Sequence, residues 1–102
     1  MGKFSRDKGS NYERELVNAF KDKGLTARRT ALSGALAHEK GDVLVTAGFD
    51  GTTVYRGECK RRANLPKFLT ESLGDNDFLA LRCDRGETLI VVRLDTLAEL
   101  LQ

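Results

Sequence analysis

Three carboxylates and one lysine have the types and spacing for chemistry. Asp42 and Glu58 lie sixteen positions apart, and Lys60 follows Glu58 by two. The segment 54–60, Val-Tyr-Arg-Gly-Glu-Cys-Lys, has the composition of a strand. Side chains alternate faces along a strand, so Glu58 and Lys60 share one face and Cys59 takes the other, towards the core. Gly48-Phe49-Asp50-Gly51 is a turn sequence, which makes residues 42–60 a hairpin. The start of one hairpin strand lies beside the end of the other, so Asp42 meets Glu58 and Lys60. Such a cluster suits phosphodiester hydrolysis. Hard oxygen donors hold Mg²⁺, with Mn²⁺ able to substitute. The ion polarises the phosphoryl oxygen and acidifies a bound water. The lysine orients that water or neutralises developing charge, and the Cys59 carbonyl would complete the metal shell.

The elements that must position these residues follow from local pattern. Ser10-Asn11-Tyr12-Glu13 is a capping box and predicts a helix start. Leu16, Val17 and Phe20 form its apolar stripe, and Gly24 stops it, with Leu25 placed for the accompanying hydrophobic contact. A short strand over 26–30 and a loop over 31–41, pivoting at Gly34 and Gly41, lead to the hairpin. Pro66 and Gly74 frame a helix carrying Phe68, Leu69 and Leu73. Strands over 78–83 and 88–94 are joined by a turn at 84–87, and Asp95 caps a last helix with Leu97, Leu100 and Leu101. This order predicts an α+β or α/β domain: a mixed β-sheet flanked by helices.

At 102 residues the chain is one domain, with a basic, unpatterned arm over 1–9 and the folded domain over 10–102. With 40% hydrophobic and 31% charged residues it is globular rather than disordered. No apolar run approaches the roughly 20 residues of a membrane helix. Met1-Gly2-Lys3-Phe4-Ser5-Arg6 lacks the apolar stretch of a signal peptide. Cys59 and Cys83 are then expected as free thiols. The net charge of +2 is uneven: residues 1–40 hold nine Lys/Arg against five Asp/Glu, and residues 41–102 hold eight against ten. The basic N-terminal part suits a phosphate backbone as partner, as a solvated mixed surface also would.

The chemistry-bearing segments resemble those of the PD-(D/E)XK nuclease superfamily, and most of all its Holliday junction resolvases of archaeal and phage type. Gly41-Asp42-Val43-Leu44-Val45 resembles the "PD" half and Glu58-Cys59-Lys60 the "ExK" half. Gly41 stands where many members have proline. Gly9 to Leu16 resembles the family's first helix, whose leading acidic residue joins the metal site; here that is Glu13 and not Glu15. Arg28-Arg29 and Ser33-Gly34 resemble a segment with a basic DNA contact and a serine that assists catalysis. The resemblance covers about positions 8–62. It implies a restriction-endonuclease-like fold and a homodimer with two Mg²⁺-dependent sites. It also implies paired nicks in a branched, four-way DNA junction, in the cytoplasm of a microbe or of a phage-infected cell. Asp42, Glu58 and Glu13 would hold the metal with Cys59, and Lys60 and Ser33 would assist. Lys3, Arg6, Lys8, Arg14, Arg28, Arg29, Arg61 and Arg62 would contact DNA.

Other readings of the same residues stay open. The capping role competes for the Glu13 carboxylate. Glu58 and Lys60 also fit an exposed charge pair, and His38 a plain surface histidine. Arg28 and Arg29 alternate faces, so one at most can serve the site. No aromatic residue is interleaved among the basic clusters, against a single-strand stacking platform. The rival functions are a nicking, flap or mismatch nuclease of the same fold, a non-catalytic DNA-binding module, and a protein-interaction domain.

Overall fold

A computed structural model describes the backbone of residues 2–30, 42–47 and 51–102, and the side chains from Asn11 onward within those ranges. The class is α+β. Two compact units are distinguished, Met1–Arg61 with Leu101–Gln102, and Arg62–Leu100.

In the first unit helix α1 (Gly2–Asp22) precedes strands β1 (Thr26–Arg29), β2 (Val43–Ala47) and β3 (Thr53–Gly57). The strands form one antiparallel sheet in the order β1-β2-β3. The register pairs Arg29 with Val43 and Val43 with Gly57. Val17 and Phe20 of α1 are buried, with Leu25, Ala27 and four of the five β2 residues. As the central strand, β2 is apolar except for Thr46 and shows no strict alternation; β3, at the edge, is exposed along its length.

The end of α1 is dictated locally. Gly24 has φ +90, its N–H donates to the Lys21 carbonyl, and the Leu25 N–H reaches back to the Phe20 carbonyl. This is the Schellman arrangement, which needs a left-handed residue that glycine supplies without strain. The start of α1 differs from expectation. The helix begins at Gly2, so Ser10 lies in its interior rather than at its N-cap. A capping box works only where the chain enters the helix at the Ser. Nothing in residues 2–9 forces such an entry, since Gly9 costs a helix only about 1 kcal/mol.

In the second unit α2 (Lys67–Leu73) is framed by Pro66 and Gly74, as the sequence predicts. Strands β4 (Leu79–Leu81) and β5 (Leu89–Val91) pair antiparallel, with Leu79 opposite Val91. Both are shorter than predicted. Their turn uses Arg85 at φ 62 and a hydrogen bond from the Gly86 N–H to the Cys83 carbonyl. Helix α3 (Leu94–Leu101) starts one residue before Asp95, which therefore sits in the first turn instead of capping it. The Arg93 guanidinium donates to the Asn76 and Gly74 carbonyls, tying the end of β5 to the end of α2.

The five strands among the described residues thus lie in two antiparallel sheets, where the sequence predicts one mixed sheet. Parallel pairing needs a crossover connection. Among the described residues the connection that holds a helix, from β3 to β4, joins strands of different sheets. Among the described residues no helix is long and apolar enough to cross a membrane.

Val43 is the most deeply buried large side chain, 1% exposed at the centre of the first sheet. Val43→Ala should lower unfolding free energy by about 2 kcal/mol, while Leu100→Ala, at a position 71% exposed, should change it by less than about 0.5 kcal/mol. Urea unfolding of both variants checks this contrast.

Candidate active site

Asp42 stands just before β2, where the backbone bends. Its N–H donates to the Gly57 carbonyl at 2.8 Å, and its own carbonyl accepts the Thr30 N–H at 3.2 Å. Its carboxylate Oδ2 accepts the backbone N–H of Cys59 at 2.8 Å. One residue therefore ties the ends of β1 and β3 together and holds the segment that follows β3. The hairpin geometry expected for Asp42 is present, with one correction. The ladder stops at Gly57, so Glu58 and Lys60 lie beyond the strand rather than in it. Beyond Gly57 the Cys59 N–H is engaged by the Asp42 carboxylate rather than by a ladder partner. Exposure still alternates: Glu58 and Lys60 are exposed and Cys59 is half-buried.

Glu13 belongs to the buried face of α1 with Val17 and Phe20, and is 9% exposed. Its Oε1 accepts the Nε–H of Arg29 at 2.9 Å. Arg29 shares the inward face of β1 with the buried Ala27, whereas Arg28 is exposed and donates weakly, at 3.5 Å, to the Arg29 carbonyl. The two arginines therefore take opposite faces of β1, and Arg29 is the one that meets Glu13. The Glu13–Arg29 pair was not anticipated from sequence, but it leaves two signals there. Positions 13, 17 and 20 share a helical face. An arginine two residues from a buried alanine on a strand needs a counter-charge.

The negative charges converge on Cys59. Its thiol is pushed up to about 11 from the ordinary 9.0, first by burial and then by Asp42, Glu13 and Glu58. The thiol is therefore protonated near neutral pH. Cys59 and Cys83 are both free. The donor set of three carboxylates has the right chemistry for Mg²⁺. Among the described residues, however, no three His, Cys, Asp or Glu side chains come together closely enough to hold an ion.

The basic candidates are dispersed. Arg14 is exposed and donates to Asn11 Oδ1 at 3.4 Å. Arg61 and Arg62 are exposed. Lys3, Arg6 and Lys8 lie on the helical backbone of α1, and their side chains are outside the described set, as are Ser33 and His38 altogether.

The family model described as archaeal Holliday junction resolvase (hjc) matches residues 4–100. No curated protein and no solved structure shows a significant match.

Iodoacetamide should label Cys59 at about pH 8 roughly a hundredfold more slowly than an unperturbed thiol, because a rise from 9.0 to about 11 removes that share of thiolate. Labelling should speed up in Asp42→Asn, which removes one of the opposing charges. Mass spectrometry of the Cys59 peptide reads the rates; equal rates in the two proteins would separate the Asp42 carboxylate from the thiol.

Proposed function

The chain belongs to the archaeal Holliday junction resolvase family, and from that premise we propose that it is a metal-dependent endonuclease cutting four-way DNA junctions by paired nicks. The family match over nearly the whole chain carries this reading, and it is supported by the clamp between Asp42 and the Cys59 N–H at the converging carboxylates.

Asp42 and Glu58, with the Cys59 carbonyl, would hold Mg²⁺, or Mn²⁺ in its place. Bound there, the ion supplies Lewis acidity at the phosphoryl oxygen and an acidified water. The Cys59 N–H restrains the Asp42 carboxylate, so less ordering remains for substrate binding to do. Lys60, exposed beside Glu58, orients the attacking water and offsets charge growing on the phosphate. Glu13 acts through water or towards a second ion, and Ser33 assists. Lys3, Arg6, Lys8, Arg14, Arg28, Arg61 and Arg62 would follow the phosphate backbone, giving recognition by shape rather than base sequence.

Two opposed strands must be cut, and a symmetric homodimer is the simplest way for so short a chain to present two sites. In the second unit Phe68, Phe78, Leu89 and Ile90 are each at least half exposed, a supply of apolar surface for such an interface. A second reading, a DNA-binding module without catalysis, is favoured by one observation: Glu13 is engaged by Arg29 and not by a metal-holding group.

The test is cleavage of a labelled four-way junction beside a linear duplex, with Mg²⁺ and with EDTA. Paired, metal-dependent nicks confined to the junction are expected. Cutting of both substrates would indicate a less selective nuclease, and binding without cutting the non-catalytic module. Asp42→Asn and Glu58→Gln should each lower the cleavage rate by at least about a thousandfold while leaving junction affinity in EDTA within about threefold. Near-normal cleavage by Asp42→Asn would refute the site assignment.

A further inference from the structure

We propose that Arg29 is a latch on Glu13: it holds this carboxylate out of the metal site until a DNA phosphate draws the guanidinium away. The proposal rests on the reading of Asp42 and Glu58 as metal ligands, and concerns how their site is completed.

Three observations carry it. The Glu13 carboxylate meets Arg29 Nε at 2.9 Å, across sixteen positions of sequence and between two elements, so the contact is tertiary rather than local. The two side chains differ in exposure: Glu13 is 11% exposed and Arg29 33%. Of the two side chains the guanidinium is the one more open to a phosphate arriving from solvent, and among the described residues it is the cation paired with the Glu13 carboxylate. Finally, Arg29 pairs with Val43 and the next residue, Thr30, donates to the Asp42 carbonyl, so the Glu13–Arg29 pair sits beside Asp42, yet no three of the described carboxylates are gathered for an ion. Glu13 is near the site and turned to another partner.

The chemistry makes an exchange natural. A buried carboxylate without a counter-charge is costly, so Glu13 keeps Arg29 while no other cation is at hand. Guanidinium binds phosphate as well as carboxylate, in the same forked geometry. When a phosphodiester takes Arg29, Glu13 loses its counter-charge and a divalent cation becomes the best replacement. DNA binding and metal binding are then coupled, and coupling of affinities is reciprocal. Arg29 acts through Glu13 and through DNA phosphate; it is a positioning residue.

The experiment is a pair of double-mutant cycles on the full chain, using Arg29→Gln, Glu13→Gln and the double variant. In the first, Mn²⁺ affinity is read by electron paramagnetic resonance without DNA. Arg29→Gln should bind Mn²⁺ about tenfold more tightly than the unaltered protein, and that gain should vanish in the Glu13→Gln background. In the second, binding of a four-way junction is measured in EDTA, where nothing is cut. Glu13→Gln should bind about tenfold more tightly, with the gain lost when Arg29 is also replaced. Arg29→Gln alone should lower the slope of log affinity against log salt by about one.

The same gain in both backgrounds would mean simple removal of a charge and would overturn the latch, as would no gain. If Arg29→Gln fails to fold, Arg29→Lys keeps the charge and loses the fork; an intermediate rise in Mn²⁺ affinity, dependent on Glu13, supports the latch, and an unchanged affinity opposes it. Asp42→Asn separates this idea from the one beneath it. If Mn²⁺ binding is indifferent to Asp42→Asn, the metal-site reading has failed; if it depends on Asp42 but not on the Arg29–Glu13 cycle, only the latch has.

Discussion

Much of the first unit turns on the bend at Asp42. In a regular antiparallel strand the N–H and the carbonyl of one residue face the same neighbour. At Asp42 they diverge, the N–H to Gly57 and the carbonyl to the Thr30 N–H, while the carboxylate takes the Cys59 N–H. Three chain segments meet in one residue. The ladder ends at Gly57, and the Cys59 N–H beyond it is held by the Asp42 carboxylate. Glu58 and Lys60 are thereby released from sheet pairing and exposed at the end of an edge strand. A hydrogen bond to a charged acceptor is worth more than one between neutral groups, roughly 1.5–3 kcal/mol net, so the bend is held by one of the stronger single contacts such a site can have.

A second constraint comes from burial. Helix α1 packs Val17 and Phe20 against the sheet, and the same helical face carries Glu13 inward. A carboxylate taken from water needs a partner. Arg29 provides it from β1, and the ion pair fastens α1 to the sheet. The packing requirement and the proposed catalytic requirement thus compete for one carboxylate. That competition explains how three carboxylates can gather around Cys59 without forming a metal cage. In the proposed mechanism, the resting fold satisfies Glu13 internally and substrate changes who satisfies it.

The remaining parts follow ordinary local rules. Gly24 and Gly74 end helices with positive φ, and Pro66 opens one. The hairpin of the second unit turns through Arg85, a non-glycine residue at positive φ, which local side-chain pattern gave no reason to expect.

What the sequence by itself determined was whatever rests on local chemistry. The end of α1, the frame of α2, the β2–β3 hairpin and the meeting of Asp42 with the segment 57–59 all follow from short-range pattern, because a turn and a two-residue repeat leave few alternatives. The tertiary structure decided the rest. It carried α1 back to Gly2, because the Ser10 capping box was only one of several helix entries the backbone could take. It distributed the described strands into two antiparallel sheets, because partner choice between distant strands is not written in the alternation of either. And it gave Glu13 to Arg29: sequence shows that both carry charge, but only the packed interior sets which opposite charge lies within reach once water has been removed.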